Sequence, residues 1–210
     1  MHELNDRSQT QAADNPYAPP TARIAEIADS GIVATPAPFY VVAPTKAALL
    51  MFATFGFYTL YWFWRHWKIH KIDKRLDLWP VPRAIFSIFF THSLYNEFDY
   101  RIVRSGQRHR WSPGGWATLY VVAAIGGRIL DRLPETVISL HASILLLIVV
   151  LSSSTLSIYH AQRAANIACG DPAAEANRRL TLANYVWLGI GALWWALVAL
   201  GTLLPEETMQ

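Results

Sequence analysis

Two stretches of this chain, residues 47–64 and 182–204, contain no Asp, Glu, Lys or Arg. A helix of a soluble domain needs a polar face toward water, so uncharged runs of this length point to hydrocarbon as the solvent. The composition agrees, at 53% hydrophobic and 16% charged, where a soluble domain carries about a quarter charged residues. The expected fold class is all-α. It is a polytopic helical membrane protein with four to five membrane helices, one of them short and re-entrant or interfacial, behind a disordered N-terminal tail.

Residues 1–46 are rich in Ala, Pro, Asp and Thr, and the run from Asp14 through Pro16 to Pro19 and Pro20 favours polyproline II. A solvated spacer is favoured over a docking motif for it. Residues 31–43 are apolar but interrupted by Pro36 and Pro38, which predicts an extended segment or one lying on the membrane surface. The first apolar run begins only after this tail, so no cleaved leader is expected and the first membrane helix stays attached. The membrane domain is placed at 47–205 and a short acidic tail at 206–210. The single cysteine, Cys169, excludes an intrachain disulfide and a cysteine-cluster metal site and reads as a bystander.

Five elements are expected. Residues 47–64 make about 27 Å of helix, close to the hydrocarbon thickness of about 30 Å. Tyr61, Trp62, Trp64 and Trp67 crowd its end, followed by Arg65, Lys68, Lys71, Lys74 and Arg75. Aromatics and bases so placed form the collar expected where a helix leaves lipid for headgroups. The helix continues as an interfacial stripe until Trp79-Pro80-Val81-Pro82 ends it. Residues 84–95 are too short to cross comfortably, which predicts a re-entrant or interfacial helix, and 96–110 read as a charged connector. Residues 116–130, 137–159 and 182–204 complete the set, with Leu133-Pro134-Glu135 starting the fourth helix.

Counting Lys and Arg decides between layouts. With the N-terminus inside and five crossings, the split is 10 inside against 8 outside; a second element that turns back, with the N-terminus outside, gives 13 against 5. If the first element also turns back, the tail lies inside and the split becomes 16 against 2.

No catalytic, cofactor or metal site is expected. His66 and His70 share a helix face at i, i+4, but two imidazoles alone make an incomplete metal site, and interfacial bases are the favoured reading. His92 and His141 are the ionisable groups inside apolar elements, where such residues are functional candidates; neutral histidines bonded to a neighbouring helix are favoured over a proton relay. Ser152, Ser153, Ser154 and Thr155 lack a visible base and oxyanion site, and a helix-packing face is the better reading. The basic runs flank apolar helices, so anionic lipid headgroups, not nucleic acid, are the expected partners, with a protein partner or a homo-oligomer open.

The runs from Thr54 through Gly56, Tyr58, Tyr61, Trp62 and Trp67-Lys68, then Arg83-Ala84 through Phe86, Phe89-Phe90 and Ser93-Leu94, then Asn177 to Tyr185, resemble uncharacterised bacterial small membrane proteins of the DUF4234 type. The resemblance covers about half the chain. It implies a bacterial inner-membrane location and supplies no activity. The expected function is a non-enzymatic envelope or partner-binding helical module with a basic collar on the cytoplasmic face; the alternative is a membrane enzyme or transporter for a lipid or small apolar molecule.

Overall fold

The computed structural model describes residues 37–134 and 137–203, which are helical with no strand among them. The helices are α1 (Pro44–Ala53), α2 (Tyr58–Lys74), α3 (Pro80–Ile85), α4 (Ser87–Arg104), α5 (Pro113–Leu130), α6 (Leu140–Ala168) and α7 (Leu182–Leu203). Residues 1–36 and 204–210, and with them most of both expected tails, lie outside the described residues.

Several expected boundaries are corrected. The single helix over 47–64 is two helices, because Phe55 and Gly56 take φ of +52° and +85° and turn the chain between α1 and α2. Glycine adopts that region freely; Phe55 sits there at a cost, held by its stack on Trp195 at 4.4 Å between ring centroids. Pro80, expected to end a helix, starts one, and Pro44 and Pro113 also occupy first-turn positions, where the missing N–H has no acceptor to lose. The element expected over 84–95 extends to Arg104, taking in most of the supposed connector. The fourth helix, expected over 137–159, runs from Leu140 to Ala168, with the Ser139 hydroxyl accepting from the Ala142 amide.

The 29-residue α6 serves as a ruler. Residues 37–43, which are neither helix nor strand, run beside its C-terminal end with Phe39 and Val42 fully buried. A buried segment without regular structure must find partners for its carbonyls elsewhere. Here four consecutive ones, Phe39 to Val42, accept from Cys169, Gln162, Asn177 and Asn166 in turn. The tail expected to be disordered through residue 46 is therefore a buried strap from residue 39.

From the strap, α1 carries the chain to the level of Leu151, which lies 4.0 Å from the position of a Cβ on Gly56, about 22 Å along α6 from Asn166. The chain then returns, and Trp62 on α2 donates to Gln162. α1 and α2 thus form a hairpin that begins and ends near one end of α6. α3 and α4 make a second reversal. Arg83 lies over the Trp67 ring, Ser87 meets Tyr120 of α5, and Tyr95 comes back to Ser157 of α6, whose hydroxyl also donates to the Trp116 carbonyl. The pairs Lys74–Glu97 and Arg101–Asp73 close the base between α2 and α4.

The core is aromatic and lies at this base, around Trp62, Phe63, Trp67, Tyr95 and Phe98 with Phe39 of the strap. Trp62 and Trp67, expected in the interface collar, are 0% and 1% exposed and belong to this core. Away from it, α6 and α7 are long and apolar enough to cross a membrane. Only 6% of the apolar window of α7 is buried, and Leu182, Val186, Leu193, Leu197 and Leu200 all face outward. A core helix of a soluble protein would hide that surface.

Candidate functional site

The sequence-predicted polar positions do not converge. His92 is exposed, its Nε2 3.1 Å from the Thr118 hydroxyl, and His141 is exposed at the start of α6. His160 stacks on Trp116. His66 and His70 do share one face of α2, but the face is buried in the core, not interfacial. His66 Nε2 lies 3.2 Å from Gln162 Oε1, and His70 stacks on Phe39. Burial pushes the His66 imidazole down to about 3, and burial likewise lowers His70 against the pull of Glu97. No group of three or more His, Cys, Asp or Glu suited to a metal ion forms among the described residues.

What the fold does assemble is a cavity of about 440 Å³ between the α1–α2 hairpin and the start of α7. Two cations reach it, Lys46 and Arg65, with Tyr40, Tyr58 and Tyr61 around them and Asn177, Thr181 and Asn184 on the α7 side; among the described residues no Asp or Glu lines it. Tyr61 and Arg65 come from the expected collar and are placed here together. Of the rest of the collar, Trp64 lies between the Arg65 guanidinium, 5.9 Å from its ring centroid, and the Lys68 ammonium, 4.9 Å away. Lys71 is half-buried and Arg75, in the left-handed region, is exposed at the end of α2.

The two cations are held differently. Lys46 Nζ donates to Asn177 Oδ1 and to the Arg179 carbonyl, both at 2.7 Å. An ammonium has three donors, so one N–H is uncommitted. Arg65 is poised over the Tyr40 ring, 5.3 Å from its centroid. Its Nε is buried with no hydrogen-bond partner, and no carboxylate pairs with it among the described residues. A guanidinium that lies over a ring and has no carboxylate partner among the described residues is suited to a carboxylate or phosphate.

A second space, an apolar trough of about 590 Å³, runs along α7 over Ile190, Gly191, Trp194 and Val198. It shares Thr54, Phe57 and Trp187 with the cavity, so the two lie side by side along α7. Gly191 makes its floor possible, because it lets α7 approach the Ala53 carbonyl more closely than any side chain allows.

Sequence reasoning missed Lys46, Gln162, Asn166 and Asn177. Gln162 and Asn166 are i, i+4 polar residues in a helix otherwise rich in Ala, a spacing that marks a shared face. Comparisons of the chain with family models, curated proteins and solved structures find no match.

Proposed function

We propose that the protein is a multi-pass bacterial inner-membrane protein, a non-enzymatic binding module that takes an anionic group in the cavity between α1–α2 and α7. The carrying observation is the lining itself: two cations and, among the described residues, no carboxylate. Such a cavity favours a bound anion over water, because its charges are already desolvated on one side and oriented.

The membrane placement supports the same reading. α5, α6 and α7 cross, while the α1–α2 and α3–α4 hairpins enter from one side and return. That arrangement is the one with 16 bases inside and 2, Arg128 and Arg132, outside, the strongest bias of the three layouts. Lys46, Arg65, Arg178 and Arg179 then lie at the cytoplasmic headgroup level, where each base adds about 1 kcal/mol of attraction to anionic lipid.

The test uses sn-glycerol 3-phosphate as a soluble headgroup probe on the full chain in neutral detergent. It raises the unfolding temperature of the wild type and not that of Arg65→Gln. A wild type that does not respond at millimolar probe removes the cavity's role. Independently, cysteines placed at Ser105 and Asp171 label only from the cytoplasmic side, and labelling from the periplasm rejects the placement.

A further inference from the structure

Polarity changes along α7 in one direction. The first two turns, at Ala183, Asn184 and Trp187, face the cationic cavity, and the turns from Ile190 to Val198 face the apolar trough. From Trp187 to Val198 the helix rises about 16 Å, close to the depth of one leaflet of a hydrocarbon core about 30 Å thick. Since α7 is long and apolar enough to cross and its start is preceded by Arg178 and Arg179, the polar end lies at headgroup level and the trough at acyl-chain depth.

A free headgroup would use only the cavity. The trough would then stand open to no purpose beside it, with its floor maintained by the contact of Gly191 with Ala53. Resting on the function proposed above, we infer that the ligand is a phosphate-headed lipid: its phosphate sits between Arg65 and Lys46, and one acyl chain lies along α7 over Phe57, Ile190, Trp194 and Val198. The ligand therefore enters sideways from the cytoplasmic leaflet and not from water. Charge selects the head, through the Arg65 guanidinium, which lines the cavity with no carboxylate partner among the described residues, and the third N–H of Lys46. Shape selects the chain, since at acyl-chain depth an apolar trough walled by Trp187 and Trp194 gains by close packing on the chain and gains nothing from a second charge.

The experiment is native mass spectrometry of the full chain released from neutral detergent, offered equal amounts of oleoyl lysophosphatidate and monooleoylglycerol. The wild type is expected to retain one lysophosphatidate, at least about tenfold in preference to the uncharged lipid, as loss of a charge-assisted pair implies. Ile190→Trp and Val198→Trp, on different turns and both filling the trough, are each expected to lower that retention about tenfold. Their response to sn-glycerol 3-phosphate is expected to stay at the wild-type level, which also certifies that they fold. If both Trp variants keep wild-type retention while the glycerol phosphate response is normal, the chain site is overturned and the anion cavity stands. If the wild type fails to respond to glycerol phosphate and retains both lipids equally, the cavity reading falls as well. Retention that appears only after residues 1–34 are deleted assigns the trough to this chain's own tail and overturns the lipid proposal.

Discussion

Gly191 on α7 lies so close to Ala53 on α1 that a Cβ built on it would stand 2.2 Å from the Ala53 carbonyl oxygen. Backbone, unlike a flexible side chain, cannot move aside cheaply, so Gly191→Ala must part the two helices. A neighbouring glycine provides the control, since Gly189 has nothing within 4 Å of its Cβ position. Gly189→Ala should be neutral or stabilising by up to about 1 kcal/mol, the helix-propensity gain. Gly191→Ala should be destabilising by about 1–3 kcal/mol in spite of that gain. Thermal unfolding of both variants in the same detergent checks the contrast, and equal unfolding temperatures would count against the close approach.

Gln162 holds more of the base together than any other polar side chain. Its Oε1 accepts from Trp62 at 2.5 Å and lies by His66, and its Nε2 donates to the Tyr40 carbonyl and to Asn166. Gln162→Leu keeps the size and strands at least two buried groups, the Trp62 indole N–H and the Tyr40 carbonyl, each costing about 1–3 kcal/mol. The strap should then be released first. Limited proteolysis is expected to cut within residues 37–43 in the variant at protease levels the wild type survives.

The buried histidines give the fold an acid-sensitive side. His66 is neutral in the folded state, its pKa driven by burial down to about 3, while an unfolded imidazole titrates near 6.5. Above about pH 6.5 both states are neutral and the group has no effect on stability. As pH falls from 6.5 toward 3 the unfolded chain alone takes up the proton, and stability drops by about 1.4 kcal/mol per pH unit. His70 shifts in the same direction. Unfolding temperatures measured between pH 7.5 and 5 should fall, and His66→Gln should flatten that slope; a slope unchanged by the substitution would show that other groups carry it.

The two helices long and apolar enough to cross a membrane, α6 and α7, were legible because each holds a long run without charge, and such a run has one low-energy fate in lipid. Their ends were less so. Phe55-Gly56 reads as an ordinary pair within an apolar run, and only tertiary partners, Trp195 against Phe55 and Leu151 beside Gly56, reveal a reversal there. The collar was half legible for a related reason. Trp62, Trp67, His66 and His70 have the composition of an interface belt, but an aromatic base built from α2, α4 and the strap buries them. Long-range pairing also hid the cavity. Lys46 and Asn177 are 131 residues apart, and no local pattern announces that they meet.

Cys169 lends itself to a last prediction, one that bears on mapping topology with introduced cysteines. Its thiol lies at the end of α6 against the strap, donating to the Phe39 carbonyl at 3.6 Å, and burial pushes its pKa up to about 11. Only the thiolate attacks a maleimide. Against an ordinary cysteine at about 8.5, a pKa near 11 leaves about 300-fold less thiolate at pH 7.5, and the surrounding strap slows access further. Native Cys169 should therefore label at least about a hundredfold more slowly than a cysteine introduced at the exposed Ser105, and at the same rate once the chain is unfolded in detergent. Equal rates in the folded protein would mean that the strap does not cover the end of α6, and the hydrogen bonds of Gln162 and Asn166 to it would have to be abandoned with it.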